Sequence, residues 1–280
     1  MQFKKAIVSL VALSLLALGA AGCGGGDKKA EAPKDNGKKV VLKVGATPVP
    51  HAEILNFVKP QLAKEGVDLQ IVEFTDYVKP NLSLADKELD ANYFQHIPYL
   101  EKFAKDRNLK LVVLAKVHIE PMGVYSRKIK DLKDVKDGAK VGIPNDPTNG
   151  GRSLLVLAAQ GLIKVKDPKN VLTTVHDVTD NPHHFQFIEL EAAAIPRSLD
   201  DVTCAAINTT YALNAGLNPD KDPIIKETAD SLYVNIVAVR EDTLKDPRLK
   251  IFQEAYQSPE NAQFIRDKFK GSAYVGWKEK

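Results

Sequence analysis

The chain has 280 residues, of which 44% are hydrophobic and 27% charged, and its formal net charge at pH 7 is +3. This length is sufficient for one large domain or for two lobes with separate cores. The near-neutral charge argues against a nucleic-acid partner, which would require a strongly basic surface.

The N-terminus has the pattern of an export signal. Lys4 and Lys5 precede an apolar run over residues 6–18, and small residues then lead to Cys23. The run is too short to span a bilayer comfortably. We therefore predict that residues 1–22 are a cleaved lipoprotein signal peptide and that Cys23 is acylated and anchors the mature chain to a membrane. Cleavage would lower the net charge to +1, because the segment contains two lysines and no acid. A plain secreted protein with an incidental cysteine at this place is the alternative.

The next segment and the rest of the chain differ sharply in composition. Residues 23–39 are rich in Gly, Lys and Ala and lack large apolar side chains, which predicts a lipidated flexible tether. From Val40 onward, short β-rich runs alternate with helical patterns, and this alternation is typical of an α/β fold. The strand candidates are VVLKVGA, LQIVEF, LKLVVLAKV, MGVYS, AKVGIP, FQFIEL, VTCAAIN and YVNIVAV. The helix candidates cover about residues 51–65, 98–107, 150–162, 209–215 and 242–269.

Two short segments, HIEPMG (118–123) and YVNIV (233–237), join compact α/β regions with little linker between them. We interpret them as crossings between two lobes. This places lobe 1 at residues 40–119 plus 237–280 and lobe 2 at residues 120–236. Small-molecule sites are common at such domain interfaces, so a ligand cleft is expected between the lobes.

The aromatic segment DANYFQHIPYL (90–100) could line that cleft. Tyr93, Phe94, His96 and Tyr99 are crowded together, with Tyr77 upstream in FTDY. Such a cluster could hold an apolar or thioether side chain, because sulfur packs favourably against ring edges. Without other information, the sequence favours the alternative, an ordinary core.

A turn-rich segment, PNDPTNGG, leads into the apolar helix candidate that starts near residue 150. Gly150, Gly151 and Arg152 would then lie at the helix start, where unpaired amides favour an anion and the guanidinium can pair with a carboxylate. The alternative is a Gly-rich turn with a surface arginine.

Two asparagines are placed in or beside apolar strands. Asn208 follows VTCAAI and Asn235 lies inside YVNIV. A buried amide must find hydrogen-bond partners, which a bound ligand or a structural network could supply.

A metal site and an enzymatic site have weaker support. His183 and His184 are adjacent, and neighbouring side chains on a strand point to opposite faces, so exposed loop histidines are expected. His51 could line a helix start, but no H-E-x-x-H, C-x-x-C or G-x-S-x-G motif is present. Cys204 lies in an apolar run and is expected to be a core residue. We interpret the chain as a binding protein rather than an enzyme, without a cofactor.

Taken together, GATPVPHAEIL, DANYFQHIPYL, GGRSLLVL, IPRSLDDV, INTTYA and YVNIV resemble the methionine-binding lipoproteins of the NlpA type. The resemblance runs from Val40 almost to the C-terminus with the motifs in the same order. It implies a type II periplasmic-binding-protein fold, with two α/β lobes, a hinge and an interlobe ligand cleft.

The resemblance also implies roles for individual residues. Arg152 would pair with the ligand carboxylate, and Asn208 and Asn235 would bond the amino and carboxylate groups. The thioether pocket would be formed by Tyr77, Phe94, His96 and Tyr99. Asn149 is a further candidate at the polar end of the site.

The implied ligand is L-methionine first, with D-methionine or a methionine dipeptide as alternatives. The implied partners are the permease and ATPase of an ABC importer, and the implied location is the cell envelope, with the chain exported and lipid-anchored. The rival interpretation is a metal-binding surface lipoprotein of an ABC importer. The segment DNPHHFQFIEL departs from the family pattern at His183 and His184.

Overall fold

The computed structural model describes residues 39–229 and 231–279. The predicted signal peptide (1–22), the acylation site at Cys23 and the tether, apart from Lys39, lie outside the described residues. Within the described ranges, no helix is both long and apolar enough to cross a membrane.

The described chain forms strands and helices in alternation. The strands are β1 (Val40–Ala46), β2 (Val67–Glu73), β3 (Ala91–His96), β4 (Leu111–Ile119), β5 (Gly123–Tyr125), β6 (Lys140–Pro144), β7 (Lys164–Val165), β8 (Val178–Asp180), β9 (Gln186–Leu190), β10 (Cys204–Ile207), β11 (Ile225–Lys226), β12 (Val234–Arg240) and β13 (Tyr274–Val275). The α-helices are α1 (Glu53–Lys64), α2 (Lys79–Ala85), α3 (Ile97–Arg107), α4 (Pro147–Ala159), α5 (Thr209–Asn214), α6 (Pro247–Tyr256) and α7 (Pro259–Lys268).

The first sheet has six strands in the order β13-β4-β12-β3-β1-β2. β1 pairs in parallel with β2 and β3, whereas β12 runs antiparallel to β3 and β4. Helix α1 covers this sheet because Ile54, Leu55, Val58 and Leu62 recur at the helical period and are all buried. Helix α1 also packs against α6 and α7, and Phe252 of α6 belongs to the same core.

The second sheet has five strands in the order β11-β5-β10-β6-β9, and β7 and β8 form a separate pair. Strand β6 runs parallel to both β9 and β10. Its core contains Val141 and Leu157, and Cys204 is buried there as expected. Burial raises the pKa of the Cys204 thiol to about 11, so the thiol stays protonated and behaves as a small apolar group.

The chain crosses between the two large sheets twice. It leaves the first sheet after Ile119, enters the second at Gly123, and returns between Lys226 and Val234. Residues 234–236, which we expected in lobe 2, belong to β12 of the first sheet. The exact lobe boundaries stay a prediction.

Several predicted elements differ from those observed. The segment 242–269 contains two helices, α6 and α7, because Ser258 caps a new helix that begins with Pro259. Helix α4 begins at Pro147 rather than near residue 150. The aromatic segment contains strand β3, which the sequence analysis did not predict.

Candidate functional site

A pocket lies where the two large sheets face each other. The space between its walls is about 340 Å³ when the open mouth is included. It is lined by Tyr77, Phe94, Gln95, His96, Tyr99, Glu120, Asn149, Arg152, Asn208, Thr209, Thr210 and Asn235. The structure thus brings together all eight side chains predicted from the sequence. It adds four that the sequence analysis missed: Gln95, Glu120, Thr209 and Thr210.

The carboxyl ends of strands position most of these residues. Phe94 and His96 end β3, Asn149 and Arg152 lie in the helix that follows β6, and Asn208 caps the helix that follows β10. Strands β6 and β10 are parallel neighbours, so their carboxyl ends meet at the same sheet edge. Ligand sites in α/β sheets are usual at such edges.

One end of the pocket is aromatic. The rings of Tyr77, Phe94 and Tyr99 have centroids 5.8–6.1 Å apart. The Tyr99 hydroxyl donates to the backbone carbonyl oxygen of Tyr77 at 2.8 Å, which fixes the Tyr99 ring. On the other side, Tyr77 packs against Tyr211 at 4.7 Å. This end can hold an apolar side chain and contact it with ring edges and faces.

A chain of amides fixes the orientation of Asn208. The Asp146 carboxylate, which can only accept, binds the Asn149 amide nitrogen at 2.9 Å. Asn149 Oδ1 must therefore face the opposite way, and it accepts from Asn208 Nδ2 at 2.8 Å and from His96 Nε2 at 3.0 Å. Because Asn208 Nδ2 donates to Asn149, Asn208 Oδ1 points away from Asn149. That oxygen is buried and has no hydrogen-bond partner within residues 39–229 and 231–279.

The helix start that we expected to receive an anion is already occupied. Asp146 caps α4, and its carboxylate accepts from the backbone N–H of Asn149 at 2.9 Å. Gly150 and Gly151 lie further into the helix and serve close packing. A Cβ on Gly150 would lie 2.7 Å from the Pro144 carbonyl oxygen. The anion-binding helix terminus was therefore a wrong expectation, and the arginine must act by its side chain alone.

Arg152 is buried and already has partners. Its Nε and Nη2 atoms bind the Glu227 carboxylate, and Nη2 also donates to the Glu120 carbonyl oxygen at 2.7 Å. The guanidinium lies over the Tyr233 ring at 4.2 Å. In the described part of the chain, Nη1 makes no hydrogen bond with protein groups. Arg152 also lines the pocket. Glu227 was not predicted from the sequence.

Glu120 and two histidines form a buried network beside the pocket. Glu120 Oε1 accepts from His118 Nε2 at 2.6 Å, and Oε2 accepts from the Thr210 backbone N–H at 3.1 Å. His51 Nε2 lies 3.5 Å from Glu120 Oε1 and 3.0 Å from Asn235 Oδ1. Since His51 Nε2 faces two oxygens, it carries the proton and donates to Asn235. The amide nitrogen of Asn235 is then the end available to a ligand.

The electrostatics of this network keep one negative charge at the pocket. Burial alone would raise the pKa of Glu120, but the hydrogen bond from His118 and the nearby histidines outweigh it and hold the pKa below its ordinary value. Burial lowers the pKa of His51 to about 4, against the opposing effect of Glu120. Burial and the charge of Arg152 lower the pKa of His96 to about 3. At neutral pH, His51 and His96 are uncharged and Glu120 is a carboxylate.

Donor atoms of His51, His118 and Glu120 lie within 4.8 Å of one another, a set that could hold a metal ion. His183 and His184 lie outside this group, on the surface near Asp137. A zinc ion would need the lone pair of His51 Nε2, and that nitrogen donates to Asn235. The hydrogen bonds therefore fit a polar network better than a metal centre.

Comparisons with known proteins agree with this architecture. The family profile described as NlpA lipoprotein matches residues 42–277. The D-methionine-binding lipoprotein MetQ of Escherichia coli K12 is 44% identical over 281 residues, covering 99% of this chain and 100% of the relative. A nutrient binding protein from Burkholderia cenocepacia bound to methionine superposes with a TM-score of 0.81 at 44% identity, covering 84% of this chain and 100% of that chain. An ABC transporter periplasmic substrate-binding protein from Coxiella burnetii gives 0.80 at 41% identity, covering 84% and 100%. The expected α/β periplasmic-binding fold with two lobes is confirmed.

Proposed function

The chain belongs to the NlpA lipoprotein family, and we propose from this premise that it binds methionine in its interlobe pocket and delivers it to an ABC importer. Asn208 Oδ1 carries the proposal, because it is a buried acceptor without a partner among the described residues and a ligand in the pocket can supply the donor. An α-ammonium group is such a donor. Glu120, on the same pocket wall, supplies the matching negative charge.

The remaining polar groups fit the other charge of an amino acid. The α-carboxylate would accept from Arg152 Nη1 and from the amide nitrogen of Asn235, two donor groups of the pocket lining that make no hydrogen bond within the described residues. Glu227 binds Nε and Nη2 of the same guanidinium. The ligand carboxylate would therefore bind at Nη1 without displacing Glu227. An amino acid with both charges therefore suits this end of the pocket.

The aromatic end suits the methionine side chain. Tyr77, Phe94 and Tyr99 surround the space with ring edges and faces, and His96 adds an uncharged ring. A thioether is polarizable and flexible, and it packs favourably against such rings. We rank L-methionine first as the ligand, with D-methionine and a methionine dipeptide as alternatives.

The binding groups come from both sheets, so a ligand would hold the two lobes together. His96 of β3 already reaches Asn149 of α4 at 3.0 Å across the cleft. Ligand contacts with Arg152 and Asn208 on one side and Asn235 on the other would favour the closed arrangement over an open one. Closure on the ligand would give the importer's permease and ATPase a distinct shape to recognise.

Export and anchoring belong to the same proposal. Cleavage before Cys23 and acylation of that residue would anchor the exported chain to a membrane of the cell envelope. Labelling with a radioactive fatty acid in cells tests this step. Incorporation should disappear in the Cys23→Ser variant and persist in the Cys204→Ser variant.

The proposal is tested by titration calorimetry on chain freed of ligand by unfolding and refolding. L-methionine, D-methionine and leucine are compared, and methionine should bind at one site per chain and more tightly than leucine. The ratio of the two enantiomers decides the stereochemistry.

The metal-binding alternative rests on the grouping of His51, His118 and Glu120. Stabilisation of the fold by zinc, reversed by a chelator, together with no heat of methionine binding, would replace our proposal with this one.

A further inference from the structure

A second space lies directly behind the aromatic end of the pocket. This outer crevice encloses about 430 Å³ including its mouth, and Tyr99 lines both it and the pocket. The two spaces also share sequence neighbours, because Tyr77 faces the pocket and Val78 the crevice. Tyr99 is the one described residue that lines both spaces.

Tyr99 is held firmly in this position. Its hydroxyl donates to the Tyr77 carbonyl oxygen at 2.8 Å, and its backbone N–H donates to His96 Nδ1 at 3.2 Å. The ring stacks on Phe103, one helical turn later, with centroids 5.8 Å apart. It meets Phe94 edge-on at 6.1 Å. The hydroxyl, the backbone and one ring face of Tyr99 are thus all held by neighbouring groups, so the ring has a fixed position.

The crevice on the far side has a mixed chemistry. Phe103 forms its apolar wall, and the Arg107 guanidinium lies 3.9 Å above that ring. Lys102 and Asp106 pair at 2.6 Å near the opening. Such a space can hold an alkyl chain along the ring and a polar group at its mouth.

We propose that Tyr99 sets the maximum length of the ligand side chain by closing the pocket off from the outer crevice. This rests on the proposed function, in which the thioether lies at the aromatic end and the substituent on sulfur points to Tyr99. A methyl substituent on sulfur fits in front of the Tyr99 ring. Longer S-alkyl substituents collide with the ring, and its removal would join the pocket to the crevice and make room for them.

The test compares methionine, ethionine and S-butyl-homocysteine on the full-length wild type, Tyr99→Ala and Val78→Ala by titration calorimetry. Val78→Ala is the matched control, since Val78 lines the crevice and not the pocket. Wild type and Val78→Ala should prefer methionine over the butyl analogue by at least about tenfold, because one methylene already changes affinity by about tenfold or more in a closed apolar pocket. Tyr99→Ala should reverse or abolish that preference.

The outcomes separate the two proposals. If wild type binds methionine but accepts the butyl analogue equally well, or if Tyr99→Ala keeps the wild-type preference, Tyr99 does not limit length and only this inference fails. If wild type binds none of the three, the proposed function fails with it. Tyr99→Leu, which keeps an apolar side chain against Phe103, replaces Tyr99→Ala if thermal unfolding shows that the alanine variant is not folded.

Discussion

Removal of the guanidinium of Arg152 should abolish most of the ligand affinity. A charge-assisted hydrogen bond to a carboxylate contributes about 1.5–3 kcal/mol, which corresponds to about a 10- to 150-fold rise in Kd. The single variant Arg152→Met also leaves the Glu227 carboxylate, only 15% exposed, without its partner. We expect this to cost about 3 kcal/mol of unfolding free energy, since a buried pair loses about 3–5 kcal/mol when one partner is removed and Glu227 keeps some solvent contact.

A double variant separates affinity from stability. Arg152→Met with Glu227→Gln removes both charges, so most of the lost stability should return while the ligand stays weakly bound. Arg266→Met with Glu279→Gln removes an exposed ion pair of the same type and is the matched control. Calorimetric titration gives the affinity and thermal unfolding gives the stability. A double variant that binds methionine within about twofold of the wild type would refute the role of Arg152.

Three further predictions concern the side chain of Asn208, Gly151 in helix α4 and the pH dependence of stability. Asn208→Leu removes Oδ1, which has no partner among the described residues, so methionine affinity should fall by about tenfold or more. It also removes the hydrogen bond from Nδ2 to Asn149, so the unfolding free energy should fall by about 1 kcal/mol. Equal affinities of the variant and the wild type in calorimetry would disprove the role of Asn208. A Cβ on Gly151 would lie 2.8 Å from the Thr173 carbonyl oxygen. Gly151→Ala should therefore lower the unfolding free energy, measured by chemical denaturation, by about 1–3 kcal/mol. Unchanged stability would show that the segment around Thr173 can move aside. In the folded chain the pKa of His51 is about 4 and that of His96 about 3, both below the ordinary value of 6.5. As the pH falls from 6.5 toward 4, these two histidines therefore become protonated in the unfolded chain before they do in the folded chain. Stability should therefore decrease toward pH 4 by up to about 1.4 kcal/mol per histidine and pH unit, and denaturation of His51→Gln should show a shallower dependence.

The apolar patterns predicted eight of the described strands, which contain runs of β-branched or other apolar residues, and missed β3 and the short strands β7, β8, β11 and β13. The run VVLKVGA coincides with β1, and FQFIEL contains β9. Strand β3 was missed because Asn92, Gln95 and His96 interrupt its apolar pattern. All six of its residues are buried, and Asn92 and Gln95 form hydrogen bonds with Asn81, which lies in the preceding helix α2. A strand stabilised by such a network has no simple periodicity.

The start of α4 was misjudged for a related reason. Two consecutive glycines are usual in loops, and the sequence gives no sign that Gly151 must pack against a carbonyl oxygen 22 residues later. Asp146 followed by Pro147 was the available signal, since this pair is typical of a helix N-cap and first turn. The glycines are inside the helix because side chains there would collide with neighbouring backbone.

The eight side chains predicted for the site do meet in one pocket, but two acids in and beside it were not found. Glu120 lies in HIEPMG, which was interpreted only as a crossing between lobes. Glu227 is 75 residues from Arg152, and nothing in its local sequence indicates the pair. A carboxylate that serves a distant arginine or histidine is visible only after the chain has folded.

Native mass spectrometry of the protein as purified from cells, followed by denaturation and identification of the released compound, tests the central claim most directly. We predict one molecule of methionine per chain. A bound metal ion, or a protein that remains empty after methionine is added back, would contradict the account.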